Sequence, residues 1–418
     1  MKLIEVNNRQ TVQQFHQLPF IIYKDDKNWI PHLKQDVEKV FQSESNKAFR
    51  DGNAIRWILI DDHNNVLGRI AAFIEPKYYK AFKQPTGGLG FFECVNNQQA
   101  AFMLIDAARN WLAEHGMKAM DGPINFGEKN AYWGLLVQDA DYPATYQMNY
   151  NPPYYRQFFE AYGFHVFYEQ YVFWRDIIRD ADEVFQRKAS VLWDEPLFKV
   201  TNVQGFSDKK LAEYFLAVYN QAWGNHEGFS PMRFEQAYKI MKALRPVRDP
   251  RISLFAFYDD KPIAFYINIP ELNQMFRYVN GNLNLWGKLK FLFFQKIFGS
   301  TTMYGIVFGV VPEFQGKGVE AAMIKYGGIH IRSGTHYLDT VITWIGDFNV
   351  KMLKLCKNLN ASLLRRYYTY RFMIDDDIPF ERHKYIGGNA EDVKQILDSL
   401  LPLEENMSRF GYRKKLRK

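Results

Sequence analysis

The sequence predicts an α/β (α+β) protein made of two tandem domains, each a mixed, largely antiparallel sheet flanked by helices. Two repeats point there. The segment "IRWILIDDHNNVLGRIAAFIEP" has two β-type apolar runs around a polar turn, and "ISLFAFYDDKPIAFYINIPE" repeats that plan roughly 195 positions downstream. At the same offset, "YYRQFFEAYGFHVFYEQYVF" is answered by "MLKLCKNLNASLLRRYYTYRF", each an amphipathic helix running into a strand. With 418 residues, 47% of them hydrophobic, the chain can fill two cores.

The elements follow in order. Residues 1–14 are mixed polar with no apolar signal core, and nowhere do about eighteen uncharged apolar residues run together. Neither a leader nor a transmembrane segment is expected, and the cytoplasm is the expected compartment. After the first hairpin, "NQQAAFMLIDAARNWLAEHG" spaces Ala101, Leu104, Ile105, Ala108, Trp111 and Leu112 along one helical face. The next helix should stop at Gly163. Asp180, followed by Glu183, is a capping pattern for a connecting helix. It sets the expected domains as 1–190, 191–386 and, for a closing helix and basic tail, 387–418.

Past the second hairpin, "LNLWGKLKFLFFQKIFGS" has no counterpart in the first half. Leu285, Trp286, Leu289, Leu292, Phe293 and Ile297 fall on one helical face, with Lys288, Lys290 and Lys296 as the only charges. Such a face either covers a cleft or rests on a membrane surface. Its large apolar area and its few lysines favour a lid without membrane contact.

Composition excludes several classes. The net charge of +7 sits mostly in the tail "SRFGYRKKLRK", whose six basic residues leave +1 on the remainder, so a nucleic-acid-binding body is not expected. Cys94 and Cys356 lie far apart, outside any Cys/His ligand spacing, so neither a disulfide framework nor a metal site is expected.

The most informative stretch is "VVPEFQGKGVEAAMI", with two glycines and a lysine between a strand and a helix. Three phosphate-binding readings compete. A nucleotide P-loop fails, because Gly309 is too far from Gly316-Lys317 and Gly318 replaces the magnesium-binding hydroxyl. A dinucleotide fingerprint is formally met by Gly316 to Ala321, with Asp339 about twenty residues on. Yet Asp339 precedes its strand, and an antiparallel hairpin stands where the first βαβ unit should be.

The third reading is an acyl-coenzyme A site, and here the chain resembles the GCN5-related N-acetyltransferase superfamily. Val310, Val311, Pro312, Gln315, Gly316, Lys317, Gly318 and Val319 follow the family's strand end and pyrophosphate loop; Glu320 departs from it. Successive backbone N–H groups at a helix start would bind a pyrophosphate by their dipoles. Asn349 matches the family's next helix, while Cys356 replaces its tyrosine and Asn360-Ala361 its Gly-Phe pair. The first half keeps Tyr162-Gly163-Phe164 but has "ECVNNQQAA" in place of the loop. Both halves therefore resemble the family, and the loop survives only in the second.

That resemblance implies attack of an amine on the thioester of acetyl-coenzyme A or another acyl-coenzyme A, in the second half. The Val311 N–H would stabilise the oxyanion, Glu271 would act as base, and Cys356 would either donate a proton or simply fill the core. The implied acceptor is a small-molecule or peptide amine. Two alternatives stay open: aminoacyl transfer from charged tRNA, which would use the basic tail, and a degenerate acyl-coenzyme A-binding scaffold.

Overall fold

The structure, a computed structural model, describes residues 1–79, 82–139, 141–177, 181–224 and 231–408. The first half supplies strands β1 (Lys2–Glu5), β2 (Asn53–Ile60), β3 (Val66–Ile74), β4 (Thr86–Cys94), β5 (Ala119–Gly122), β6 (Leu135–Asp139) and β7 (His165–Asp176). Its helices are α1 (Arg9–Ile22), α2 (Lys34–Val40), α3 (Pro76–Tyr79), α4 (Gln98–Glu114) and α5 (Tyr154–Tyr162), and α6 (Glu183–Trp193) leads on. The second half adds β8 (Phe198–Asn202), β9 (Leu254–Tyr258), β10 (Lys261–Pro270), β11 (Thr302–Val310), β12 (Asp339–Gly346) and β13 (Ser362–Met373). With them come α7 (Asp208–Trp223), α8 (Phe234–Leu244), α9 (Asn273–Phe276), α10 (Leu285–Ile297), α11 (Val319–Gly334), α12 (Val350–Asn358), α13 (Ala390–Asp398) and α14 (Leu403–Ser408).

Local chemistry explains the elements the sequence predicts. In the β2–β3 turn the Asp61 carboxylate accepts the N–H groups of His63 and Asn65. The β9–β10 turn puts Asp259 and Asp260 at φ of 50° and 56°, the two-residue geometry whose twist suits a hairpin. Asn97 caps α4, which buries Ala101, Leu104, Ile105, Ala108 and Leu112, while Trp111 is half-buried. Gly163, at φ 104°, ends α5. Asp182 caps α6; the expected cap Asp180 lies outside the described residues, and position 190 falls within this helix.

All strands join one sheet in the order β1-β2-β3-β4-β5-β13-β7-β12-β11-β10-β9-β8, with β6 also on β13. The halves exchange their last strands. β13 pairs with β5 of the first half, β7 pairs with β12 of the second, and β7 and β13 pair antiparallel between them. Trp174, Phe173, Tyr367 and Tyr370 are buried along this central pair, so the two cores meet there.

One expectation is corrected. α10 turns inward only through Gly287, Phe291 and the half-buried Phe294, with Phe291 packed on Phe276 and Phe294 stacked on Tyr278 at 3.9 Å. Leu285, Trp286, Leu289, Leu292, Phe293 and Ile297 face solvent, so its large apolar face closes over nothing. Among the described residues, no helix is long and apolar enough to cross a membrane.

Candidate functional site

In the second half β11 and β12 run parallel and pair only from Thr302–Asp339 to Gly305–Ile342. Beyond that they part. Ile306 to Phe308 and Ile342 to Trp344 are half-buried although they lie on central strands, which marks an open wedge. The first half has the same parting after Gly88–Asp121, but there the wedge is filled. Ile124 donates its N–H to Leu89 O at 2.7 Å, a side chain at Gly90 would lie 1.9 Å from Ile124 O, and Phe126, Tyr132 and Trp133 are buried beside it. Tyr155 and Tyr154 close the tip: the Tyr155 hydroxyl accepts the Cys94 N–H, and Tyr154 donates to the Cys94 carbonyl.

The loop at the mouth of the open wedge has the shape the glycines foretell. Gly316 and Gly318 sit at φ of 74° and 93°, and Gly318 starts α11. Gln315 folds back to donate to Val310 O, and the Lys317 ammonium lies 5.2 Å over the Phe314 ring. Val319 is fully buried in the core. Nothing surrounds the position a Gly316 Cβ would take, whereas a Gly318 Cβ would lie 2.7 Å from the carbonyl of Lys188 on α6.

Glu320 turns into the loop. It is half-buried at the start of α11, its carboxylate near enough to the backbone N–H groups of Gly316 and of Glu320 itself to be stabilised by them. Burial raises its pKa above the usual carboxylate range, opposed by those N–H groups and by Lys188.

The Val311 assignment is corrected by register. Its N–H donates to Ile263 O at 2.9 Å, within the β10–β11 ladder. Because N–H groups alternate between strand edges, those of Val310 and Phe308 point to the parted edge instead. Glu271 follows β10 and donates its N–H to Thr302 O, about 30 Å along β11 from Val311 at ~3.3 Å per residue. Its carboxylate accepts the N–H groups of Tyr146 (2.8 Å) and Asn273 (3.3 Å), and burial pushes its pKa up to about 7. Asn349 caps α12 by accepting the Met352 N–H. Cys356 is 1% exposed inside α12, and burial pushes its thiol well above the ordinary range, so it fills the core.

Sequence reasoning missed two features. Tyr266 of β10 places its hydroxyl 3.0 Å from where a Gly305 Cβ would be, at the throat of the wedge and near Cys356. In the first half, Glu93 lies buried on β4 and accepts hydrogen bonds from Tyr23 (2.7 Å) and Tyr155 (2.9 Å), with Arg69 at 3.5 Å. Only pairing across β3, β4, α1 and α5 brings these together, so no local signal was available. Residues 409–418, the basic tail, lie outside the described residues.

No protein-family model matches the chain. It is 24% identical over 374 residues to Protein YghO of Escherichia coli (strain K12), covering 88% of this chain and 94% of that protein. It is 23% identical over 380 residues to the bacterial ceramide synthase of Caulobacter vibrioides (strain NA1000 / CB15N), covering 88% and 97%. Among solved structures, a tandem GNAT protein from the clavulanic acid biosynthesis pathway aligns with a TM-score of 0.53 at 11% identity, covering 91% of this chain and 99% of that one. The GCN5-related glucosamine N-acetyltransferase region of a fungal multi-domain GH3 beta-N-acetylglucosaminidase aligns at 0.52 and 13% identity, covering 89% of this chain; this chain spans 38% of that longer protein.

Proposed function

This chain has the tandem GCN5-related N-acetyltransferase fold, and on that premise we propose that its second half transfers an acyl group from coenzyme A to the amine of a long-chain lipid base. The observation that carries the reading is the open wedge between β11 and β12, with the Gly316-Lys317-Gly318 loop at its mouth, beside a first-half wedge that is filled. Gly316, Gly318, Val319 and Glu320 would supply backbone N–H groups to the pyrophosphate, those of Gln315 and Lys317 already donating to Pro312 O and Phe314 O, and the parted edge of β11 would take the pantetheine arm. The amine attacks the thioester carbon, the C–N bond forms, the C–S bond breaks, and the amine proton leaves to water. The Val310 N–H would meet the oxyanion, and one such donor is worth about 10²–10³ in rate. A departing thiol with a pKa of ~8.5 needs little protonation, which suits a Cys356 sealed in the core.

Glu320 must swing aside when the pyrophosphate enters. At ~6 Å and an effective dielectric of ~20, like charges repel by about 2.8 kcal/mol. The lipid acceptor is supported by the ceramide synthase relative, aligned over nearly its whole length. The half-buried side chains of Ile306 and Trp344, which pack on one apolar cluster beside the wedge, suit a long chain.

Two variants test the site. Gly316→Asp keeps the backbone, because Asp tolerates the left-handed region and the space is open, yet it sets a second carboxylate in the loop. It should weaken coenzyme A at least about tenfold, whereas Glu320→Ala should tighten it, most at low salt. Equal dissociation constants for both variants and the wild type, by calorimetry, would sink the assignment. Product analysis with long-chain and short peptide amines then separates the acceptor classes.

A further inference from the structure

We propose that the exposed face of α10 docks the protein on an anionic lipid bilayer. This stands apart from the acyl-transfer reading, since docking needs no acyl donor. Gly287, Phe291 and Phe294 fix one side of the helix to the protein. At about 100° per residue, Leu285, Trp286, Leu289, Leu292, Phe293 and Ile297 sweep roughly 140° on the other side. All six are exposed, Trp286 at 73% and Leu285 at 72%, far more contiguous apolar surface than scattered exposed side chains make.

Charge selects the occupant. Lys288 and Lys290 border the arc on its two sides, Lys296 lies within it near the C-terminal end, and all three are exposed. Arg277, also exposed, precedes Tyr278, whose ring stacks on Phe294. From Leu272 to Ser300 the chain carries these four basic residues and no acid. An apolar arc flanked by lysines, with an indole at its border, suits a helix lying in the interface of an anionic membrane. A second copy of the chain suits it poorly. A two-fold contact through this face would set lysines against lysines, with no carboxylate on the segment to meet them.

The full chain, without acyl donor, is sedimented with phosphatidylcholine vesicles and with vesicles in which about one-third of the lipid is phosphatidylglycerol. Binding to the anionic vesicles, weakened by salt, is expected. Trp286 emission should shift to the blue, a change absent in Trp286→Phe. Lys288→Gln/Lys290→Gln/Lys296→Gln should lose about a hundredfold in affinity for the anionic vesicles. Leu289→Ser/Leu292→Ser/Phe293→Ser should lose binding to the anionic vesicles while keeping the wild-type melting transition, since the three side chains are about half exposed or more. The proposal is overturned if the wild type stays in the supernatant with both vesicles, or if either triple variant binds as the wild type does. A dimer in sedimentation velocity that becomes monomeric in the Leu289/Leu292/Phe293 variant would also overturn it, by assigning the face to a second copy.

Discussion

Glu271 shows how a residue can be placed correctly in sequence and wrongly in chemistry. Its carboxylate is 5% exposed and tied to the N–H groups of Tyr146 and Asn273. Burial outweighs those bonds and lifts the pKa from 4.5 to about 7. Between these values the folded chain keeps a proton that the unfolded chain has released, so stability falls as pH rises through that window. A shift of this size is worth about 3 kcal/mol. Glu271→Gln keeps an oxygen for both N–H groups and cannot ionise, so the fall should shrink by up to that amount. Melting curves from about pH 4 to about pH 8 check it. Parallel pH profiles for variant and wild type would mean that Glu271 ionises like an exposed carboxylate. The spacing that suggested a base gave no measure of this burial, because depth is set by the 142–148 segment folding over from the other half.

At the scale of elements, helical periodicity located α4, α10 and α12, but it does not say what each face meets. In α12 the face with Val350, Leu353 and Cys356 is buried against β7 and α13. Cys356→Ala removes one buried heavy atom, so it should cost about 1 kcal/mol of stability. Turnover with any acceptor found should stay within about tenfold of wild type, below the ~10²–10⁴ a general acid supplies. A larger fall in kcat at unchanged stability would restore a catalytic role to the thiol. α10 teaches the converse: its apolar stripe was legible, yet the anchoring side proved to be the narrow one of Gly287, Phe291 and Phe294. The stripe's width alone suggested a lid.

For the whole molecule, the exchange of β7 and β13 makes the halves interdependent. Each has its edge strand seated in the other's sheet, so a half alone exposes unpaired ladders and half a core. Residues 1–190 and 191–418, expressed separately, should be insoluble or lack a cooperative unfolding transition. Co-expressed, they should assemble into one soluble complex. Cooperative melting of either fragment by itself would show that the exchanged strands add little.

The sequence by itself determined the hairpins, the helix start at Asn349, the stop at Gly163 and the loop around Gly316, because each depends on neighbours within a few residues. Only the tertiary structure decided which N–H faces the wedge. Val311 spends its own on Ile263, and a one-residue step along β11 moves the donor to Val310. It also decided that the first-half wedge is filled, that Glu320 occupies its own loop and that the last strands are exchanged. Alternation along a strand fixes which face is apolar and not which strand lies beside it, so two halves with the same pattern can trade partners without any local sign of it.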